Sequence, residues 1–236
     1  MIITAIYATE RTEKSTTYQL AQHVIKQLSG GDTVFEFHLP KAMPHYCSGC
    51  FRCMTADITK CAAYPALKPI IEAINASDLL IFTAPVYVYH VPGQMKALLD
   101  HFAHAWMVHR PNPLMFHKQA LILSTAAGAG TKTAVRDIRD SLDYWGVGRV
   151  YTLRENVRAA DWQGVSEKMR KRLWDKSDRL IEKIRTRKQG GVTPRVKVKY
   201  MFYGCRLLQK RFVLNPPDAV YWKEMGWLGK KRPWRS

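Results

Sequence analysis

The alternation of β-like and helical segments is the feature that most constrains the fold of this 236-residue chain. Short runs rich in β-branched and apolar residues are separated by segments with apolar residues at helical spacing. The five runs begin at Ile2, Thr33, Asp78, Gln119 and Val147. The first, third and fourth are almost continuously apolar, which is typical of strands buried on both faces of a parallel sheet. The sequence therefore predicts an α/β fold with a doubly wound five-stranded parallel sheet and right-handed helical crossovers.

The helical patterns connect these strands and stop before the chain ends. They cover residues 15–29, 66–76, 95–106, 131–145 and 165–187. The alternation breaks at Gly190-Gly191, and a basic segment rich in aromatic residues follows. We predict a main domain over residues 1–190 and a basic, aromatic-rich C-terminal extension over residues 191–236.

The loop after the first strand carries polar residues suited to an anion. In such sheets ligands bind beyond the carboxyl ends of the strands, and here hydroxyl groups lead into a helix beside Arg11 and Lys14. Helix N-termini and basic side chains attract phosphate. The absence of a GxGxxG motif favours a phosphate monoester over a dinucleotide pyrophosphate. The predicted ligands are Thr9, Arg11, Ser15, Thr16 and Thr17, with simple helix capping by Ser15 or Thr16 as the alternative.

The loops after the third and fourth strands contain two further motifs. The third strand ends in Pro85-Val86-Tyr87-Val88, and Pro92, Lys96 and a Leu-Leu-Asp-His run follow. The fourth is followed by Thr125-Ala126-Ala127-Gly128. This second loop is not a nucleotide-triphosphate loop, because Thr131 stands where such a loop needs Gly before Lys132. Taken singly, each loop also fits an ordinary aromatic or glycine-rich turn.

These motifs resemble the NADPH-dependent FMN reductase and iron-sulfur flavoprotein group of the flavodoxin-like superfamily, over roughly residues 1–160. The resemblance implies that Pro85, Val86, Tyr87 and Val88 contact the isoalloxazine ring of FMN. It implies that Thr125, Ala126, Ala127 and Gly128 lie along the ring. The implied activity is that of an NAD(P)H oxidoreductase whose flavin reduces a quinone, free flavin or protein. No catalytic side chain is predicted, and Tyr89 and His90 are candidates only for shaping the acceptor pocket.

Four cysteines form a compact run after the second strand. Their spacing is Cys47-x2-Cys50-x2-Cys53-x7-Cys61, and such short steps are typical of iron-sulfur ligation. The run also resembles the motif with which iron-sulfur flavoproteins hold a [4Fe-4S] cluster, although the acidic pair that often follows is Ala62-Ala63 here. Free thiols, zinc and a redox disulfide remain alternatives.

The net charge of +18 is concentrated toward the C-terminus. From Arg195 to Ser236, Lys and Arg greatly outnumber Asp218 and Glu224. Trp222, Trp227 and Trp234 in this segment are interpreted first as anchors within the fold or in the interface of a homodimer or higher homo-oligomer. An anionic membrane surface is the second interpretation, and nucleic acid is the least favoured because no recognised motif supports it.

The start of the sequence and its cysteines also indicate where the protein is located. Met1 opens directly into a β-like run without a signal-peptide pattern, and clustered cysteines suit a reducing compartment, so a cytoplasmic location is predicted.

His101, His104, His109 and His117 are interpreted as structural or surface residues. One alternative function is an electron-transfer module that uses the cysteine run without nicotinamide. The other is a flavin-binding protein that acts mainly through its basic extension.

Overall fold

A single parallel sheet organises the computed structural model, which describes residues 1–213 and 215–235. Within those residues the sheet has five strands in the order β2-β1-β3-β4-β5. The strands are β1 (Ile3–Tyr7), β2 (Val34–His38), β3 (Leu79–Thr83), β4 (Gln119–Ala126) and β5 (Arg149–Asn156). Every residue of β1, β3 and β4 is buried. The predicted flavodoxin-like sheet is confirmed.

Helices cover both faces of this sheet. The described residues form α1 (Thr16–Leu28), α2 (Arg52–Thr55), α3 (Tyr64–Ala76), α4 (Gly93–His101), α5 (Thr131–Tyr144), α6 (Glu167–Gln189), α7 (Val196–Arg211) and α8 (Pro216–Glu224). Helix α1 begins at the N-cap Ser15 and buries Leu20 and Val24 at helical spacing. Helix α4 ends before the predicted residue 106, because the chain continues as a short 3₁₀ turn over Ala103–Ala105.

The sheet separates two apolar layers. On one face Ile6, Phe82 and Ile122 pack against residues of α3, α4 and α5. On the other face Ile3 and Leu121 pack against α1 and α6. These layers fix the strand ends, and therefore the loops that follow them, in a rigid arrangement.

The C-terminal extension folds onto the main domain through a third apolar cluster. Met107 and Phe116 of the main domain contact Phe202 of α7 together with Trp222 and Trp227. Trp222 and Trp227 are buried, which agrees with their interpretation as anchors. The predicted division into residues 1–190 and 191–236 stays a prediction, since the two parts share this cluster. Among the described residues, no helix combines the length and apolar character needed to cross a bilayer.

Candidate functional site

A cavity of about 240 Å³ lies where the carboxyl ends of β1, β3, β4 and β5 meet. Four loops form its walls, and three of them are the loops predicted from the sequence. The lining residues are Thr9, Arg11, Ser15, Thr16, Pro85, Val86, Tyr87, Thr125, Ala126, Ala127, Val157, Ala159 and Ala160. The structure therefore brings together most of the predicted site residues at one place.

The loop after β5 is the part of the cavity that sequence reasoning missed. Val157, Ala159 and Ala160 come from this loop. The sequence could have indicated this loop, because the carboxyl end of β5 lies at the same edge of the sheet as those of the other parallel strands. Two consecutive alanines after a strand are also small enough to let a planar ligand approach.

The loop after β1 presents hydroxyl groups at the start of α1. Ser15 is the N-cap, and its Oγ accepts a hydrogen bond from the backbone N–H of Tyr18 at 3.4 Å. The Oγ of Ser15 lies 3.0 Å from Oγ1 of Thr17. Thr17 is fully buried and supports Ser15 from behind rather than lining the cavity. The first N–H groups of a helix have no partner within the helix, so this end suits an anion.

Arg11 connects two of the loops. Its backbone N–H donates to Oγ1 of Thr9 at 3.2 Å, and its Nη1 donates to the carbonyl oxygen of Ala160 at 3.1 Å. The guanidinium is consequently held beside the cavity, close in sequence to the N-terminus of α1. A phosphate placed there would meet a positive side chain, hydroxyl groups and the helix dipole together.

The loop after β3 reaches the cavity and then turns away. The backbone N–H of Val86 donates to the carbonyl oxygen of Thr125 at 3.0 Å, and Tyr87 and His90 exchange backbone hydrogen bonds of 3.1 and 3.0 Å. The tip of this turn holds Val88 and Tyr89 at positive φ values of 45° and 66°. Val88 is 92% exposed and is not on the cavity wall, so the structure does not bring it to the other predicted residues.

Gly130 holds the loops after β3 and β4 together. Its φ is +98°, and an added Cβ would lie 2.7 Å from Cγ1 of Val86 and 2.8 Å from Cα of Tyr89. Only glycine fits this left-handed position against a neighbouring backbone. Gly128, in contrast, has no atom within 4 Å of such a Cβ and borders an adjoining groove instead of the cavity.

Replacing Gly130 by Ala is expected to lower the free energy of unfolding by about 1–3 kcal/mol, because strain and overlap add at one position. The loop after β3 should also shift, and flavin affinity should fall with it. Thermal unfolding and a flavin titration measure the two effects. Gly128→Ala is the matched control for folding and should change stability by less than about 0.5 kcal/mol. Equal stability of the two variants would contradict the role of Gly130.

The cysteine run lies on a separate loop. Cys47 and Cys50 are exposed, and Cys53 and Cys61 are partly buried. Burial, followed by the neighbouring Cys61 and Cys47, raises the pKa of the Cys53 thiol, so these sulfurs lie in one neighbourhood. No group of three or more His, Cys, Asp or Glu residues in the described chain is arranged to hold a metal ion. In this arrangement the four thiols do not converge on a common metal position. The [4Fe-4S] assignment from the sequence therefore stays a prediction.

Arg110 ties this loop to the C-terminal extension. Its guanidinium donates to the carbonyl oxygens of Ala56 at 2.6 Å and Met54 at 2.9 Å. Its Nε lies 3.1 Å from Oδ1 of Asp218 in α8, and Nδ1 of His109 lies 2.8 Å from the other oxygen of that carboxylate. Asp218 is fully buried. The extension therefore fixes the main-domain loop that carries the cysteines.

Cys50 is expected to react first with iodoacetamide near neutral pH. A hydrogen bond from the backbone N–H of Arg52 and one from the Ser48 hydroxyl lower the pKa of this exposed thiol, so more of it is the nucleophilic thiolate. Burial raises the pKa of Cys205 to about 11, and it should stay unmodified while the protein is folded. Mass spectrometry of a time course measures the order. Shared protection of Cys47, Cys50, Cys53 and Cys61 in protein prepared without oxygen, lost after iron chelation, would instead indicate a cluster.

The histidines predicted to be structural lie away from the cavity. Burial lowers the pKa of His104 to about 4, and Nε2 of His117 lies 2.9 Å from the carbonyl oxygen of Pro233. Nδ1 of His101 lies 3.8 Å from Sγ of Cys61. These contacts support structural roles for the three histidines. His90, in contrast, is the candidate for shaping the acceptor pocket, and its Nδ1 lies 3.0 Å from Oδ2 of Asp137.

The fold and the cavity together define a flavodoxin-like α/β protein with a site suited to a phosphorylated flavin. A family model described as NADPH-dependent FMN reductase matches residues 1–162, more than half of the chain. The chain belongs to the NADPH-dependent FMN reductase family.

Curated relatives match shorter segments. An FMN-dependent NADH:quinone oxidoreductase of Sodalis glossinidius is 36% identical over 70 residues, covering 28% of this chain and 35% of that protein. One of Bordetella bronchiseptica is 29% identical over 138 residues, covering 51% and 65%. An NAD(P)H-dependent FMN reductase of Pseudomonas aeruginosa is 29% identical over 119 residues, covering 50% and 60%. This chain thus spans less than two thirds of the length of each of these relatives.

Solved structures share the fold at low sequence identity. An azoreductase from Bacillus anthracis superposes with a TM-score of 0.62 and 15% identity, covering 77% of this chain and 98% of that one. An FMN-dependent NADH-azoreductase of the same species, solved in complex with FMN, gives a TM-score of 0.56 at 12% identity, covering 76% and 99%. These likenesses concern the fold.

Proposed function

We propose that this chain is an FMN-dependent NAD(P)H oxidoreductase that passes electrons from a nicotinamide through flavin to a quinone. The observation that carries the proposal is the cavity in which the loops after β1, β3 and β4 meet. When bound, FMN supplies the redox chemistry, taking a hydride from the nicotinamide and delivering two electrons with protons to the acceptor. The protein binds the flavin, orients the substrates beside it and limits access to its ring.

The two ends of the cavity suit the two ends of FMN. Arg11, Ser15 and Thr16 with the first N–H groups of α1 would hold the phosphate. Pro85, Val86 and Tyr87 would border the ring edge. Thr125, Ala126 and Ala127 would lie along its plane, where their small side chains allow backbone contact.

The size of the cavity bears on how the substrates reach the flavin. About 240 Å³ is below the roughly 300–1,000 Å³ of pockets that enclose a drug-sized ligand. A flavin held there would keep part of its ring open to solvent. A nicotinamide and then an acceptor could stack in turn on that surface, as a two-step reaction requires.

No side-chain acid or base is assigned to the reaction. The described residues that line the cavity include Arg11, hydroxyl groups and small apolar residues, without His, Asp, Glu or Lys. Protons would therefore come from water. The role of the chain is to bind and orient the reactants, because in a cofactor enzyme the cofactor carries the chemistry and the protein supplies the geometry.

The acceptor and the partners form the finer part of the proposal. Relatives in Sodalis and Bordetella bear the name NADH:quinone oxidoreductase, which supports a quinone as the electron acceptor.

Helix α7 exposes Val196, Tyr200 and Leu207 at helical spacing. We assign this stripe to a homodimer interface, with an anionic membrane surface as the alternative. Sizing and vesicle sedimentation of Tyr200→Ser/Leu207→Ser separate the two. A cytoplasmic location is also part of the proposal, because clustered cysteines suit a reducing compartment.

An anaerobic reduction experiment tests the activity. Protein loaded with FMN should lose its yellow absorbance when NADPH or NADH is added, and a soluble quinone should restore it. An electron-transfer module without a nicotinamide site would be bleached by dithionite alone. That second result would remove the reductase assignment and leave the flavin site in place.

A further inference from the structure

Strand β5 forms an open edge of the sheet. It is the last strand in the order, and β4 is its partner among the described strands. The N–H groups of Arg149 and Val157 donate toward β4 at 3.2 and 2.8 Å. Because the N–H and C=O groups of a strand alternate between its two sides, those of Thr152, Arg154 and Asn156 point away from β4. In the part of the chain that the structure describes, no hydrogen bond is formed with these groups.

A groove of about 1130 Å³ follows this edge. Its wall includes every residue from Thr152 to Arg158. Since side chains of a strand alternate between the two faces of the sheet, a wall made of consecutive residues lies along the edge itself. Helices α5 and α6 cover opposite faces of the sheet, and both contribute to the wall. The free backbone groups of β5 thus face this groove.

A stripe of basic side chains on α6 runs beside the free edge. The stripe consists of Arg172, Lys176, Arg179 and Lys183, which line the groove. Intervals of four, three and four residues place them on one face of the helix. Glu155 pairs with Arg172 at 3.3 Å and with Lys176. Arg179 and Lys183 are exposed, and no carboxylate of the described chain lies within ion-pair distance of either.

The charges around the edge favour an acidic occupant over a second copy of this chain. Arg154 and Arg158 add two exposed cations to the groove, and the chain as a whole carries a net charge of +18. Pairing of β5 with the β5 of another copy would bring two sets of the same cations together, which is unfavourable. An acidic strand would be attracted instead.

The spacing of the stripe also matches an extended chain. Two residues of a β-strand span about 6.6 Å, and four residues of an α-helix span about 6 Å. Acidic side chains at every second position of a strand added to β5 would therefore follow the stripe on α6 from one basic side chain to the next.

We propose that the open edge of β5 binds an extended acidic segment of a partner protein as a sixth strand, with its carboxylates against the basic stripe of α6. The free backbone groups of Thr152, Arg154 and Asn156 would supply the pairing, and alternate Asp or Glu residues of the partner would supply the specificity. Ala127 and Val157 line both this groove and the cavity at the strand ends, so the partner would be held beside the cavity.

Amide hydrogen exchange tests the pairing directly. The probe is a decapeptide of alternating Glu and Thr, added at up to about 1 mM to the full chain loaded with FMN. Exchange at the amides of Thr152, Arg154 and Asn156 should slow about tenfold when the peptide is in about tenfold excess over its Kd. The amides of Leu153 and Glu155 point toward β4 and should not change.

Two controls accompany this measurement. Glu36 lies on β2, the strand at the opposite edge of the sheet, and its amide should not change, because the groove and its basic stripe lie along β5. A decapeptide of alternating Lys and Thr has the same backbone and the opposite charge, and it should protect none of these amides.

Two variants separate backbone pairing from charge. Thr152→Pro removes one outward N–H, which an edge strand tolerates, and should weaken peptide binding about tenfold. Arg179→Ala/Lys183→Ala keeps the helix propensity of α6 and should weaken binding about three- to thirtyfold, as for two exposed ion pairs. The matched control Lys168→Ala/Lys171→Ala removes the same charge from α6 outside the groove and should leave Kd unaltered.

A modified peptide gives the backbone test without changing the protein. The Glu-Thr decapeptide with alternate amides N-methylated keeps its charge and loses its donors, so it should bind about tenfold more weakly than the parent peptide.

Three results would overturn the proposal. The first is an absence of protection at Thr152, Arg154 and Asn156 in the presence of the acidic peptide. The second is equal binding of the N-methylated peptide and of an oligothymidylate, which would assign the groove to nucleic acid. The third is a dimer of the unaltered protein that Thr152→Pro dissociates, which would place a second copy of the chain on the edge.

Discussion

Replacing Trp222 by Ala is expected to lower the free energy of unfolding by about 3–5 kcal/mol, as for other large aromatic truncations in a core. Trp222 is fully buried. Its ring stacks on Phe202 at a centroid distance of 5.1 Å and meets Trp227 edge-on at 5.4 Å. Its Nε1 donates to the carbonyl oxygen of His109 at 2.7 Å. The variant would leave a cavity and an unpaired carbonyl group together.

Denaturant unfolding measures this loss, and two variants calibrate it. Tyr200→Ala removes an aromatic ring from the same extension at a site that is 74% exposed, and it should cost less than about 0.5 kcal/mol. Trp222→Phe keeps most of the apolar volume and should cost less than Trp222→Ala. A Trp222→Ala protein as stable as Tyr200→Ala would show that the third cluster does not stabilise the fold.

The same cluster bears on how the extension can be studied. Phe116 and Met107 are fully buried and pack against Phe202 and the tryptophans. Deleting the chain after Gly191 would uncover these main-domain side chains, so loss of solubility would follow from exposed core alone. Substitutions on the exposed stripe of α7 therefore test partners more directly than truncation does.

Periodicity in the sequence was enough to predict the sheet. Strands β1, β3 and β4 are fully buried, so their apolar runs are almost unbroken. In the intervening helices the apolar residues recur with a period of 3.6 residues. Because parallel strands bring their carboxyl ends to one edge, three loops far apart in sequence could be expected to form one site. The cavity walls contain residues from all three.

What the sequence did not reveal depends on local backbone geometry and on long-range packing. Val88 belongs to a motif expected at the flavin, yet a tight turn with two positive φ values carries it to the surface. Non-glycine residues seldom adopt that conformation, so the residue types of this loop did not predict the turn. The contact of Arg110 with Asp218 joins residues far apart in the chain, and no spacing rule predicts such a pair.

Removing two of the proposed phosphate ligands is expected to weaken FMN binding by about two orders of magnitude. The change is Arg11→Ala combined with Ser15→Ala, which deletes one guanidinium and one hydroxyl from the cavity wall. Hydrogen bonds to charged groups contribute about 1.5–3 kcal/mol each, so losing two corresponds to about 3 kcal/mol or more. Fluorescence titration of the flavin-free protein measures the dissociation constant.

Riboflavin makes this prediction specific to the phosphate. It carries the same ring and ribityl chain as FMN without the phosphate group, so the Arg11→Ala/Ser15→Ala protein should bind riboflavin about as well as the unaltered protein does. The matched cap control is Ser166→Ala, because Ser166 caps α6 as Ser15 caps α1. Both cap losses cost about 1 kcal/mol of stability, but only the change at Ser15 should affect FMN. If the double variant lost riboflavin and FMN equally, the damage would lie in the fold of the loop, and the phosphate assignment to the N-terminus of α1 would be wrong.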